Sequence, residues 1–266
     1  MDNRPIGIFD SGSGGLSIWK SITTLLPHES TVYIGDHVHI PYSTKSSEDI
    51  VKRVQTLIGY LLTQNVKLIV IACNTATVAG IDIYRNTFPH IPIIGVVPVI
   101  KTAAEVSKTK SFLILSTEHT AKSIYQKELI RRYAKDCKVQ AIGNTELVKA
   151  IEEGKRDSKE VKDILEQMLL PIKGKNFDAV VLGCTHFPFV RHVIQSIVGS
   201  SVRILDSGEA VGRQVLHILG SEHLESDVSL ATYQFFTTGD VQLVQEVARD
   251  LLNRPIVVNS APDSVQ

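Results

Sequence analysis

"VIACNTAT" at positions 70–77 and "VVLGCTHF" at positions 180–187 are two versions of one local pattern. Each is a run of strand-forming apolar residues that ends in a small residue and a cysteine, with a threonine one or two positions later. Short apolar runs bounded by small and polar residues predict buried strands. The chain therefore repeats one kind of strand end, and each copy presents a thiol, at Cys73 and at Cys184.

A second pair of similar segments supports this repeat. "IGIFDSGSGG" begins at position 6 and "FLILSTEHT" at position 112, and each is a strand followed by small hydroxyl or acidic residues. The separation of these two segments is nearly that of the two cysteine motifs. Two repeats at nearly equal offset predict two similar α/β halves with equivalent loops.

The rest of the chain alternates short β-rich runs with amphipathic segments, which predicts an α/β fold with mostly parallel sheets. Ligands bind such sheets at the carboxyl ends of strands, where all four motifs lie. Helices are predicted at 16–26, at 49–63 with Ser46 and Asp49 as a capping box, at 121–133 and at 158–170. The predicted strands are 6–9, 31–34, 68–72, 93–97, 112–115, 139–142, 179–182, 202–205, 233–237 and 256–258.

Composition excludes several classes of protein. Lys plus Arg equals Asp plus Glu at 28 each, which gives no general attraction for nucleic acid. No apolar run approaches the ~18 residues of a membrane span, and the start "MDNRPIGIFDSG" lacks a signal core. We therefore expect a cytoplasmic protein without nucleic-acid or membrane partners. The three cysteines lack disulfide-framework and CxxC spacing, so we expect no metal site.

The mirrored thiols suit one particular chemistry. A buried cysteine usually behaves as a small hydrophobe, and this is our interpretation of Cys137. Two thiols that face one substrate carbon can act together, because a thiolate removes a proton and the other thiol returns one on the opposite face. Such a pair inverts a stereocentre without a cofactor. A free thiol has a pKa of about 8.5, so a modest local effect supplies thiolate at neutral pH.

Polar residues beside the two thiols have both structural and functional interpretations. Asp10 and Ser11 open "DSGSGG", which is either a capped strand-to-helix turn or an anion site at a helix N-terminus. The glycine spacing matches neither a P-loop nor a dinucleotide fingerprint. His186 follows Cys184 by two positions, and the usual pKa range of histidine suits proton transfer. A single histidine is, however, often only a structural residue of the core or the surface. Without other information, Glu152 would be interpreted as a solvent-exposed acidic residue. The segment "HIPYSTKS" at 39–46 would likewise be interpreted as a turn shaped by its proline.

Taken together, the motifs resemble the glutamate racemase family of cofactor-independent enzymes, which supply D-glutamate for bacterial peptidoglycan. The resemblance spans nearly the whole chain through "GIFDSGSGGL", "YIGD", "PY", "ACNTAT", "GVVP", "TEHT", "GCTHFP" and "LDSGEAV". It implies two pseudosymmetric α/β domains with the active site between them, glutamate as substrate, no cofactor and a homodimer. The first domain would comprise 1–97 plus 208–266, and the second 98–207.

The resemblance also implies residue roles. Cys73 would deprotonate D-glutamate and Cys184 would act on L-glutamate. Asp10 would assist Cys73, whereas Glu152 and His186 would assist Cys184. Substrate carboxylates and ammonium would be held by Asp10, Ser11, Tyr42, Ser43, Asn74, Thr75, Thr185 and His186.

Three departures from the family pattern bear on these expectations. Ser43 replaces the glycine of "PYG", which matters if the backbone there requires positive φ. His119 replaces the glycine of "TEGT", near the expected entrance or the side-chain carboxylate of the substrate. Asn144-Thr145 replaces a Cys-Pro pair before the Glu152 segment. Two alternatives stay open at this point: a racemase of a related acid such as aspartate, and a noncatalytic binding role such as inhibition of DNA gyrase.

Overall fold

A computed structural model describes residues 1–172 and 174–265, so Lys173 and Gln266, the last residue of the predicted first domain, lie outside the description. The strands are β1 Ile6–Asp10, β2 Thr31–Gly35, β3 Leu68–Ile71, β4 Ile93–Gly95, β5 Ser111–Ser116, β6 Lys138–Gly143, β7 Ala179–Gly183, β8 Arg203–Leu205, β9 Tyr233–Thr237 and β10 Val258–Ser260. The α-helices are α1 Leu16–Leu25, α2 Ser47–Thr63, α3 Asn74–Thr87, α4 Ile100–Val106, α5 Glu118–Lys122, α6 Ile124–Tyr133, α7 Glu146–Glu152, α8 Lys159–Leu169, α9 Arg191–Val198, α10 Gly208–Ser221 and α11 Val241–Leu252. Short 3₁₀ helices span His37–His39, Tyr42–Thr44, Leu170–Ile172, Phe187–Val190 and Asp263–Val265.

The first sheet has the order β10-β9-β2-β1-β3-β4, and all its strand pairs are parallel. Strands β1 and β3 are buried along their whole length because helices cover both faces of this sheet. One face packs its side chains, such as Ile8 and Val70, against α1, α10 and α11. The other face packs Phe9 and Ile69 against α2 and α3.

The second sheet repeats this arrangement on a smaller scale, with the order β6-β5-β7-β8 and parallel pairing throughout. Leu113 and Val180 pack towards α7, α8 and α9, whereas Ile114 and Val181 pack towards α4 and α6. Its strand order matches β2-β1-β3-β4 of the first sheet, strand for strand. The prediction of two pseudosymmetric, parallel-sheet α/β halves is therefore confirmed.

Most predicted elements lie within two residues of the observed ones, and β4 ends at Gly95 rather than at position 97. Ser46 caps α2 by accepting a hydrogen bond from the Asp49 N–H at 3.1 Å, as predicted. The predicted helix 121–133 is instead two helices, because Ser123 is extended and caps α6 through the Gln126 N–H. The last strand is Val258–Ser260 rather than 256–258, since its register is set by pairing with β9. Within the described ranges, no helix combines the length and apolar character needed to cross a membrane.

Candidate active site

Four equivalent strand ends meet at one small cavity. Ser11 follows β1, Cys73 follows β3, Thr117 follows β5 and Cys184 follows β7, so each sheet contributes two strand ends. The cavity volume is about 10 Å³, which is room for about one water molecule. It is lined by Ser11, Pro41, Tyr42, Ser43, Cys73, Asn74, Thr75, Thr117, Val148, Cys184, Thr185 and His186.

Cys73 occupies the N-cap of α3 with extended backbone, and this places its thiol at the cavity. The sulfur accepts a hydrogen bond from the Ala76 N–H at 3.5 Å and donates to Ser11 Oγ at 3.6 Å. Burial raises the pKa of Cys73 well above its usual value, and the nearby Asp10 carboxyl raises it further. At neutral pH this group is therefore a thiol in the present arrangement.

Asp10 lies behind the cavity wall at the end of β1. Its Oδ2 accepts hydrogen bonds from the N–H groups of Gly12 and Gly15, at 3.3 and 2.9 Å. Within the described ranges its Oδ1 has no hydrogen-bond partner despite being fully buried. Burial raises the pKa of Asp10, while His186, the Gly15 N–H and the Cys73 thiol lower it. The Asp10 side chain therefore caps the turn after β1, which is its predicted structural role. It also lies close enough to Cys73 to raise the pKa of that thiol.

Cys184 has a different set of neighbours. Its sulfur lies 3.7 Å from His186 Nδ1, and His186 Nε2 lies 2.6 Å from Glu152 Oε1 at the end of α7. Burial works against the charged form of His186, but its bonds with Cys184 and Glu152 raise its pKa well above the usual value. Burial likewise opposes ionisation of Glu152, but His186, His37 and the Ser13 N–H lower its pKa to about 2. Glu152 and His186 therefore form a buried ion pair behind Cys184.

Two glycines of "DSGSGG" make room for this pair. A Cβ on Gly14 would overlap the His186 ring, and a Cβ on Gly12 would overlap the Glu152 carboxylate. The loop after β1 therefore packs directly against the groups that support Cys184. Its backbone also contributes a donor, since the Ser13 N–H reaches Glu152 Oε1 at 2.5 Å.

Comparison with known proteins places this architecture in a family. A model of the Asp/Glu/hydantoin racemases matches residues 6–215. The chain belongs to the Asp/Glu/hydantoin racemase family. This racemase is 36% identical over 259 residues to the glutamate racemase of Ectopseudomonas mendocina, covering 97% of this chain and 98% of the relative. It is an amino-acid racemase that groups with the glutamate racemases of the family.

Solved structures agree with this placement. The racemase superposes on a glutamate racemase from Bacillus anthracis with a TM-score of 0.92, at 30% identity and full coverage of both chains. It also matches the Escherichia coli enzyme in complex with L-glutamate and the activator UDP-MurNAc-Ala (TM-score 0.84, 32% identity, 97% and 98% coverage). A third match is the Francisella tularensis enzyme in complex with D-glutamate (TM-score 0.87, 30% identity, 99% and 100% coverage).

All the residues predicted to hold substrate except Asp10 line the cavity of this racemase, but several use their polar atoms internally. The Tyr42 hydroxyl donates to Asp36 at 2.6 Å, so Tyr42 does not offer a free hydroxyl. Asn74 Nδ2 donates to a main-chain carbonyl at 3.4 Å, and Thr75 Oγ1 lies 3.0 Å from Thr117 Oγ1. Hydroxyl groups therefore face each other across the cavity from the two halves of the racemase.

Ser43 is accommodated without strain. It is not among the described residues with positive φ, so the loss of the family's glycine costs nothing in backbone conformation. Its Oγ lies 3.0 Å from Thr145 Oγ1, at the N-cap of α7. Both positions depart from the family pattern, and in this racemase they contact each other between the two halves.

Sequence reasoning missed five residues around the site. Pro41, Thr117 and Val148 line the cavity, and Ser13 and His37 contact Glu152. Thr117 was detectable, because it follows β5 where Asp10 ends β1 in the repeated pattern. Val148, Ser13 and His37 carry no comparable signal, since their contacts are made with distant parts of the chain. His119 is not a lining residue, and its Nε2 lies 3.5 Å from Ser47 Oγ.

Proposed function

We propose that this racemase interconverts L- and D-glutamate without a cofactor, through Cys73 and Cys184 acting as a pair of acid–base groups. The observation that carries the proposal is that both buried thiols line one cavity, each from an equivalent strand end of the two sheets. Similarity to glutamate racemases, two of them solved with L- or D-glutamate, supports glutamate as the substrate.

The electrostatic difference between the thiols favours a particular starting state. A charged His186 stabilises negative charge on the Cys184 sulfur that it faces, whereas burial and Asp10 hold Cys73 as a thiol. In this state the Cys184 thiolate removes the Cα proton of L-glutamate. The electron pair of the broken C–H bond then delocalises from Cα into the substrate α-carboxylate.

The second step completes inversion. Cys73 donates its S–H proton to the opposite face of Cα, which gives D-glutamate and leaves a Cys73 thiolate and a Cys184 thiol. The same steps in reverse convert D-glutamate to L-glutamate, so no net proton or electron is consumed. Because Cα–H is a very weak acid, most of the rate enhancement must come from preorganised charge in a dry site.

The remaining site residues have supporting roles in this proposal. Asp10 tunes Cys73 or pairs with the substrate ammonium, while His186 and Glu152 tune Cys184. The side chains and backbone that hold the substrate are those of Ser11, Tyr42, Ser43, Asn74, Thr75 and Thr185.

Substrate entry requires the two halves to separate. A cavity of about 10 Å³ is far smaller than glutamate, and its walls come from both sheets. We propose that the moving units are domains comprising 1–97 plus 208–266 and 98–207. Closure around glutamate would then exclude water from the reacting carbon.

In the cell, the product D-glutamate would supply peptidoglycan synthesis in the cytoplasm, and the enzyme would act as a homodimer. The activator named with the Escherichia coli structure, UDP-MurNAc-Ala, is consistent with a link to cell-wall synthesis in that relative.

The deciding experiment is circular-dichroism turnover of D- and L-glutamate, beside D- and L-aspartate, without added cofactor. We expect both glutamate enantiomers to converge on the racemate and, in D₂O, to gain deuterium at Cα. Turnover of aspartate alone would replace glutamate by aspartate as the substrate. Inertness towards all four would overturn the proposed function.

A further inference from the structure

His37 contacts the Cys184 side of the site and has no role in the steps above. It lies in the 3₁₀ helix His37–His39 after β2, with a side chain only 10% exposed. Its Nε2 is 3.0 Å from Ser13 Oγ and 3.6 Å from Glu152 Oε2. His37 thus reaches the carboxylate oxygen of Glu152 that His186 does not use.

The orientation of the His37 ring is fixed from its other edge. Nδ1 lies 2.8 Å from Thr237 Oγ1 at the end of β9 and 3.1 Å from the Gly35 carbonyl at the end of β2. A carbonyl oxygen only accepts hydrogen bonds, so the contact with Gly35 requires the proton on Nδ1. In the neutral ring Nε2 then accepts a hydrogen bond from the Ser13 hydroxyl, and only the imidazolium form can donate from Nε2 towards Glu152 Oε2.

The surrounding backbone leaves space for this ring. A Cβ on Gly35 would overlap the His37 imidazole, and a Cβ on Gly239 would approach the His37 Cβ to 2.7 Å. Two neighbouring glycines and four polar contacts from separate elements therefore fix the His37 ring in one defined position.

We propose that His37 is a positioning residue which, with Ser13, holds the Glu152 carboxylate against His186 and so supports Cys184 selectively. The inference rests on the proposed function, because it assigns His37 to one of the two thiols of that reaction. The contacts carry it: Glu152 Oε1 receives the Ser13 N–H and faces His186 Nε2, and Oε2 faces His37. In support, the His37 ring contributes to lowering the pKa of Glu152. No corresponding contact links His37 to Cys73 in the described residues.

A matched pair of variants tests the contact. A glutamine amide can occupy the position of Nε2, and an asparagine amide that of Nδ1. We therefore expect His37→Gln to keep most activity, while His37→Asn loses at least about tenfold in kcat/KM, as loss of a contact to a charged group should. His39→Asn, in the same 3₁₀ helix, keeps an amide at the Nδ1 position that contacts Asp36 Oδ1 at 3.1 Å, so it is the control and should stay within about twofold of wild type.

A measurement of deuterium isotope effects distinguishes a selective effect on Cys184 from a general disturbance of the whole active site. The enantiomers have equal free energies in water, so kcat/KM must fall equally in both directions. If only proton transfer at Cys184 is slowed, the deuterium isotope effect with L-[2-²H]glutamate rises in His37→Asn. The effect with D-[2-²H]glutamate, whose deuteron Cys73 removes, falls.

Several results would overturn the proposal. These are wild-type kinetics in His37→Asn, equal losses in His37→Asn and His37→Gln, or isotope effects that change alike for both enantiomers. If His37→Asn does not fold, Ser13→Ala removes the hydroxyl partner of Nε2 and carries the same isotope test, with the same overturning result. Wild-type enzyme that leaves glutamate unchanged would refute the proposed function instead, so the two failures are distinguishable.

Discussion

The Glu152 carboxylate, at the end of a helix that covers the second sheet, accepts a 2.5 Å hydrogen bond from the Ser13 N–H in the first loop of the chain. The same oxygen faces His186 at 2.6 Å. One carboxylate therefore links the two halves and also sets the environment of Cys184. If the two halves separate as proposed, the Ser13–Glu152 contact has to break, which would couple substrate binding and closure to the charge of His186 through Glu152.

Glu152→Gln should change how stability depends on pH. The folded-state pKa of Glu152 is about 2 against an ordinary 4.5, so its stabilisation is complete above pH 4.5 and is lost as pH falls towards about 2. The raised pKa of His186 gives stabilisation that is complete below pH 6.5 and is lost as pH rises through its folded-state pKa. Both limbs report the Glu152–His186 pair, and the shift in the pKa of Glu152, to which His37 and the Ser13 N–H also contribute, corresponds to about 3 kcal/mol.

Urea unfolding of wild type and Glu152→Gln across this pH range measures the effect. The difference in free energy of unfolding should be greatest between pH 4.5 and 6.5 and should shrink on both sides. A difference that is independent of pH would contradict the ion pair.

Replacing either active-site thiol should abolish most turnover. Cys73→Ser and Cys184→Ser should each lower kcat by about 10²- to 10⁴-fold, the usual contribution of a positioned acid or base. The circular-dichroism assay with D- and L-glutamate measures this loss. Cys137→Ser is the matched control, because Cys137 lies away from the cavity and should keep wild-type kinetics. Near-normal racemisation by either active-site variant would refute the two-base mechanism.

Gly14→Ala should impair activity by steric displacement. The added methyl group would overlap the His186 ring and move it from the Cys184 sulfur and from Glu152. We expect kcat/KM to fall by about tenfold or more, since small misplacements of catalytic groups are costly. Gly59→Ala, inside α2 with nothing within 4 Å of the new Cβ, is the control. It should retain activity and stabilise the protein by about 0.5–1 kcal/mol. Equal activity of the two variants would show that His186 tolerates displacement.

Asp36→Asn should destabilise the fold. Asp36 is fully buried, and Arg53 donates to both its oxygens, at 2.8 and 2.6 Å, while the Tyr42 hydroxyl donates to Oδ2. Removing the negative charge leaves Arg53 without its partner, which costs about 3–5 kcal/mol. Denaturant unfolding measures the loss. Glu48→Gln breaks the exposed Glu48–Lys52 pair instead, and should leave the free energy of unfolding nearly unchanged. Comparable losses in both variants would mean that burial of the Asp36 pair has little energetic weight.

Sequence reasoning succeeded where the signal was local. The strands that carry Cys73 and Cys184, and the repeat that relates them, follow from apolar runs and their polar ends. It failed where tertiary contacts decide. His37 looks like any surface histidine until Thr237, 200 positions later, fixes its ring. The last strand pairs two residues later than its β-branched residues suggest, because its neighbour dictates the register. Roles taken from the family resemblance, including that of Glu152, stay proposals until the experiments above are done.

The sheet order has a consequence for synthesis on the ribosome. Strand β2 pairs on one side with β1, which precedes it closely, and on the other with β9, whose residues Tyr233–Thr237 are translated about 200 positions later. The strands of the second sheet end at Leu205, and only Val247 and Leu251 of α11 join its described core from later in the chain. During translation, the four-stranded sheet can therefore be complete while β2 still presents an open edge to the surroundings. The half that contains the first sheet is begun first during translation but is completed last. In a nascent chain stalled before β9, one edge of β2 is unpaired although the second sheet is already complete.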